Sequence, residues 1–131
     1  MSTEENKRIL ERAYAEVSNG NGAFLLEHLA DDVTWTIIGS TLLSGIYRGK
    51  NEVVNKLFVG LRARLQGPVV FAPERFIAEG DFVVMQAHGR ATAKGGKPYN
   101  NVYCIVAGFE NGKIKTMIDY IDTELITAAL G

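Results

Sequence analysis

KPYNNVYCIVAGF at 97–109, ENGK at 110–113 and IKTMIDYID at 114–122 read together as one β-hairpin. Asn111-Gly112 is a dipeptide that favours the tight turn between paired strands. The runs on either side of it alternate. In the second, Lys115, Met117, Asp119 and Ile121 share one face, and Thr116, Ile118, Tyr120 and Asp122 share the other. Asp119 therefore stands in line with two apolar side chains. A carboxylate in that company is either an edge residue in water or a group held in a pocket.

Upstream of the hairpin the pattern changes from helices to strands. Ser2 with Glu5 forms a capping box, and Ile9, Leu10, Ala13, Tyr14 and Val17 follow on one helical stripe until Asn19-Gly20. A short second helix is expected at 23–29, with Phe24, Leu25 and Leu29 as its apolar face. Residues 33–38 are β-branched and aromatic and read as a strand, with Trp35 and Ile37 on one side. A loop or irregular hairpin covers 39–49. A third helix spans 50–65 on the stripe Val53, Val54, Leu57, Phe58, Leu61 and Leu65. Arg62 and Arg64 suit the negative end of its dipole, and Gly67-Pro68 ends it. Strands at 69–78, 82–93 and 99–109 then lead into the hairpin. A closing helix from Thr123 to Leu130 is capped by Asp122 or Thr123. Helices segregated from a meander predict an α+β domain: a curved antiparallel sheet wrapped around three N-terminal helices, with a short C-terminal helix. Such a sheet encloses a conical cavity.

The whole chain narrows the function classes. Its 131 residues make one domain, 1–131. With 47% apolar and 22% charged residues and a formal net charge of −1, it has neither the basic excess of a nucleic-acid or acidic-membrane binder nor a charged tail. The first residues, MSTEENKR, are not a signal peptide, and no apolar run approaches the roughly 20 residues of a membrane helix. A cytoplasmic location is expected. One cysteine, Cys104, excludes an internal disulfide, and two histidines without HxxxH or CxxC spacing argue against a structural zinc site. No glycine loop matches a nucleotide site, and no cofactor is expected. Both faces of the strand at 82–93 carry apolar groups. That suggests an outer sheet face covered by a second copy of the chain, a homodimer.

Four segments carry a resemblance: LLEHLADDVTW at 25–35, SGIYRGKNEVV at 44–54, GKPYNNVYCIV at 96–106, and GKI with DYIDTEL at 112–125. In this order and spacing they resemble the SnoaL-like, ketosteroid-isomerase-like branch of the NTF2-like (cystatin-like) superfamily, over nearly the whole chain. That fold hosts isomerases, cyclases, epoxide hydrolases, dehydratases and binding modules. Several branches have a pocket carboxylate on the last strand just before an aromatic, where Asp119 precedes Tyr120. The resemblance also implies an inward parity. It places Gln86, His88, Asn101, Tyr103, Met117 and Asp119 in the cavity, with Tyr14, Trp35 and Ile37 above them. Departures count too. The arginine and aspartate of limonene epoxide hydrolase fall at Gln86 and His88, and the shuttling aspartate of ketosteroid isomerase falls near Ile37. Neither of those specific mechanisms is expected here.

Asp119 and His88 are accordingly the candidate catalytic pair. Burial raises a carboxyl's pKa toward the range of a general acid or base, and an imidazole could share its proton. For Asp119 the alternative is a structural carboxylate; for His88 it is a pocket-wall residue. Tyr14, Gln86, Asn101 and Tyr103 are candidate donors to a ligand carbonyl or enolate, and Trp35, Ile37 and Met117 its apolar walls. The expected function is a cofactor-independent acid–base isomerase or cyclase acting on a small hydrophobic carbonyl compound. The alternatives are a non-catalytic hydrophobic-ligand or dimerisation module, and a hydrolase with water held by Asp119 and His88.

Overall fold

A computed structural model describes residues 2–131. The first helix, Thr3–Ser18, opens on the expected capping box: the Glu5 amide donates to the Ser2 hydroxyl at 3.1 Å, and the Ser2 amide to the Glu5 carboxylate at 3.2 Å. It buries Leu10, Ala13 and Tyr14. Its last turn is tied to the sheet, because the Phe71 amide donates to the Ser18 hydroxyl at 2.9 Å. The second helix is the short Ala23–Glu27.

Six strands form one sheet. They are β1 Leu29–Ile37, β2 Gly45–Arg48, β3 Val70–Glu79, β4 Phe82–Arg90, β5 Val102–Glu110 and β6 Lys113–Ile121, in the spatial order β2-β1-β6-β5-β4-β3. The meander β3 to β6 is antiparallel, as expected. β1 then joins β6 in parallel, so the sheet as a whole is mixed. A parallel neighbour needs a long crossover. Here everything between β1 and β6 supplies it. Register shifts in β1–β6, β3–β4 and β5–β6 mark bulges, which bend strands. At the hairpin, Asn111 and Gly112 both have positive φ, 51° and 76°, as the tight turn requires.

The third helix, residues 50–64, is not uniform. Three α residues, Lys50–Glu52, lead into a π-helical stretch, Val53–Phe58, before α geometry returns at Val59–Arg64. Such stretches are rare and often sit at functional sites. The loop at 39–44 folds inward: the Ser44 hydroxyl donates to the Ile38 carbonyl at 2.7 Å, the Tyr47 hydroxyl donates to the Leu43 carbonyl at 2.7 Å, and Leu43 is buried. The closing helix, Thr123–Leu130, is capped by Asp122. Among the described residues no helix is long and apolar enough to cross a membrane.

The inward parity of β4 is the reverse of that expected for Gln86 and His88. Ala87 pairs with Tyr103, and Met85 with Ile105; directly opposed residues point to the same face. Val83, Met85, Ala87 and Gly89 therefore face the helices and are buried, while Gln86 and His88 lie on the outer face. Small residues inside have a purpose. A Cβ on Gly89 would stand 2.6 Å from the Tyr103 ring and 2.9 Å from Val69, so this glycine makes room for the tyrosine. Gly89→Ala should displace that ring and destabilise the fold by roughly 1–3 kcal/mol, an overpacking cost. Chemical denaturation would measure it, and an unchanged midpoint would contradict the close approach.

Candidate functional site

Asp119 sits on β6 with a neighbour on each side, opposite Ile37 of β1 and Ile105 of β5. Both neighbours are apolar and buried, and Asp119 itself is only 8% exposed. Burial desolvates the charge and pushes the carboxyl from its ordinary 3.8 up to about 7, with the Trp35 indole N–H opposing the shift. Trp35 Nε1 and Asp119 Oδ1 are both buried without a hydrogen-bond partner of ordinary geometry, yet the indole N–H lies close enough to favour the charged carboxylate.

The carboxyl forms part of the wall of a cavity of about 520 Å³. Tyr14, Trp35, Ile37 and Tyr103 line it, as expected from the sequence. Trp35 is set edge-on to Phe58 with ring centroids 5.5 Å apart, so the π-helical stretch bears directly on the indole. Tyr14 meets Phe71, and Phe71 meets Tyr103, each at 4.9 Å and edge-on. Burial pushes the Tyr14 hydroxyl well above its ordinary value, and the Asp119 and Tyr103 charges add to this. Tyr103 is raised in the same way, first by burial and then by Tyr99 and Asp119. Both hydroxyls are neutral at physiological pH.

Four expected lining residues are elsewhere. His88 does not meet Asp119. Its side chain is 63% exposed on the outer face, where Nε2 lies 2.7 Å from a Glu74 carboxylate oxygen. Gln86 accepts a hydrogen bond from Arg75 on that same face. Water held jointly by Asp119 and His88 is therefore ruled out by the register of β4. Asn101 is buried, but its amide is spent on the scaffold. Its Oδ1 accepts from the amides of Val102 at 2.7 Å and Asp122 at 3.0 Å, and its Nδ2 donates to the Tyr99 hydroxyl at 3.1 Å and the Asp122 carbonyl at 3.2 Å. Met117 is fully buried in the core, outside the cavity lining. Conversely, Tyr99, Leu43, Leu57, Phe58, Leu61 and Ile105 line the cavity without having been singled out. The helical stripe already carried Leu57, Phe58 and Leu61, and Tyr99 shares parity with Tyr103. Nothing in the sequence pointed to Leu43, whose place depends on the fold of its loop.

A family model described as a SnoaL-like domain matches residues 10–117. Among solved structures, the chain is similar to an NTF2-like protein of unknown function from Burkholderia pseudomallei K96243, at 26% identity and a TM-score of 0.87, covering 99% of this chain and 98% of that one. It is also similar to TerC co-crystallised with polyporic acid (22% identity, TM-score 0.84, 96% and 98% covered). A third is a protein from Jannaschia sp. CCS1 described as a SnoaL-like polyketide cyclase (14% identity, TM-score 0.82, 98% and 92% covered). No curated protein matches the chain.

The raised carboxyl pKa has a stability consequence with a definite sign. The unfolded chain ionises Asp119 near 3.8 and the folded chain near 7, so the folded state holds the extra proton between those values. This contribution is fully present below pH 3.8 and is lost as pH rises through about 7. At pH 8 the buried charge costs roughly 4 kcal/mol relative to acid conditions. Asp119→Asn should remove that slope and stabilise the protein above pH 7. Melting temperature followed against pH for both forms checks it, and parallel curves would refute the buried acid.

Proposed function

Because the chain belongs to the SnoaL-like domain family of the NTF2-like superfamily, whose fold builds pockets for varied chemistry, we propose that it is a cofactor-independent acid–base enzyme of the isomerase or cyclase type. One observation carries the proposal: a single buried carboxyl, raised by burial to about 7, in the wall of an apolar cavity. Its substrate is a small hydrophobic carbonyl compound. Ionised Asp119 takes a proton from the carbon beside the carbonyl. The C–H bond breaks, the O–H bond of Asp119 forms, and the electron pair moves to the carbonyl oxygen. The neutral hydroxyls of Tyr14 and Tyr103, both in the cavity lining, are the donors available to that oxygen. Asp119 then returns the proton at a second carbon. A carboxyl half ionised at neutral pH serves both steps. A relative described as a polyketide cyclase and another described as an isomerase from Rhodopseudomonas palustris agree with this class of chemistry.

A second reading has its own observation. Among the described residues Asp119 is the only carboxyl or histidine in the cavity lining, so no second carboxyl or imidazole there relays its proton. That favours a pocket that binds a hydrophobic molecule without transforming it.

We also propose a homodimer through the outer sheet face. Val84, Val106 and Ile118 stand in register across β4, β5 and β6 on that side. Around them Phe82, Val102 and Tyr120 are 55%, 48% and 45% exposed. An apolar face of this kind is what a second sheet covers.

Deuterium exchange at the carbons next to the carbonyl of 2-tetralone, followed by NMR in heavy water, tests the chemistry without the natural substrate. The native protein should accelerate exchange, and Asp119→Asn should lower that acceleration by about 10²–10⁴-fold. Equal exchange in both would leave the binding reading. Sedimentation at micromolar concentration should give a dimer that Val106→Glu converts to a monomer; a native monomer removes the second copy.

A further inference from the structure

Among the described residues the cavity lining holds three charged groups: Asp119, Arg62 and Lys94. Their places differ. Asp119 lies among buried residues, Trp35, Ile37 and Ile105, at the inner end. Arg62 and Lys94 are exposed and belong with Gln66, Gly67 and Pro68, the exposed part of the lining that forms the mouth. Three hydrogen bonds hold the two segments of this rim together: the Lys94 amide donates to the Arg64 carbonyl at 2.8 Å, the Gln66 amide to the Thr92 carbonyl at 2.9 Å, and the Gln66 side-chain amide to the Ala93 carbonyl at 3.1 Å. Among the described residues neither the Arg62 guanidinium nor the Lys94 ammonium makes an ion pair, although Arg12, Lys56, Arg75 and Lys115 all do.

This asymmetry does not follow from composition. The chain has 15 acidic and 14 basic residues, yet every charge at the mouth is positive. Two unpaired cations at the open end of an apolar chamber would attract cations of no kind and would leave a neutral oil unassisted. They complement one class of molecule, an apolar body that ends in a negative charge.

We propose that the ligand is an amphipathic carboxylate. Its apolar body, with the reacting carbonyl, lies toward Asp119, and its carboxylate stays at the mouth between Arg62 and Lys94. This refines the reading of the same cavity given above and rests on it for the inner end only. The orientation follows from the charges. The carboxylate end avoids the inner carboxyl and keeps partial contact with water, while the uncharged end is desolvated. Arg62 and Lys94 would then be specificity-determining residues, acting on binding and register of the ligand rather than on the proton.

The test uses 4-phenylbutanoate and its methyl ester, which differ in the charge at one end. Trp35 is the only tryptophan and lies in the cavity wall, so its fluorescence reports occupancy. The native protein should bind the carboxylate about threefold to tenfold more tightly than the ester, the range that one or two exposed ion pairs supply, and the preference should shrink as salt rises. In the double variant R62Q/K94Q the two ligands should bind alike, with the melting temperature unchanged because both side chains are exposed. Asp119→Asn should keep the preference. An ester bound as tightly as the acid, a preference that survives in R62Q/K94Q, or no detectable binding of either probe at millimolar concentration overturns the proposal. If the preference is present and exchange of 2-tetralone is absent, the proton chemistry falls and the anion site stands; the opposite pair of results removes only the anion site.

Discussion

A buried carboxyl is the constraint to which the rest of this structure answers. Ile37 and Ile105 flank Asp119 on the two neighbouring strands, and its burial pushes it to about 7. Nothing within bonding geometry relieves Oδ1. Natural folds avoid such groups because each costs stability. The same low polarity keeps Tyr14 and Tyr103 protonated, so one physical cause sets both the acid and its neutral donors.

The surrounding scaffold stiffens that arrangement at its weakest place. β5 begins and β6 ends beside the site, and free strand ends would fray. Asn101 joins them, bonding the amides of Val102 and Asp122 through one oxygen and the Asp122 carbonyl and Tyr99 hydroxyl through its nitrogen. Asp122 in turn caps the closing helix by accepting from the Leu125 amide. Position 101 is thus polar for a structural reason. An isolated asparagine in a strand pattern looks the same whether it meets a ligand or braces two strand ends.

Much of the fold was readable because its signals are local. The Ser2–Glu5 cap, the stripe through Leu10 and Tyr14, and the Asn111-Gly112 turn each depend on residues a few positions apart. Asp119 was readable for a related reason, since its apolar neighbours lie on its own strand. What depended on pairing was not readable. Which face of β4 turns inward is set by the register of Ala87 against Tyr103, and both faces of that strand are apolar enough to allow either answer. The SnoaL-like resemblance led to the wrong face for Gln86 and His88 because it supplied positions without a register. The π-helical stretch at Val53–Phe58 and the inward fold of Leu43 are likewise products of tertiary packing that override local propensity.

The position of the acid in the sheet order supplies the last step. β6 and β5 are the two central strands of six. A carboxyl on β2 or β3 would stand at an edge with water along one side, and its pKa would remain ordinary. On β6 it has β1 on one flank, bringing Trp35 and Ile37, and β5 on the other, bringing Tyr103 and Ile105. The parallel β1–β6 seam is therefore part of what keeps the group buried. It closes the otherwise open edge of the meander against the strand that carries the acid. The inner end of the cavity is built from paired strands and is rigid. The mouth is built from the connections at 20–22, 66–68 and 94, with Arg62 added from the last turn of the helix Val59–Arg64. Connections can vary without disturbing a sheet. A fold divided in this way can keep a buried carboxyl fixed on its central strands while the residues of the rim differ.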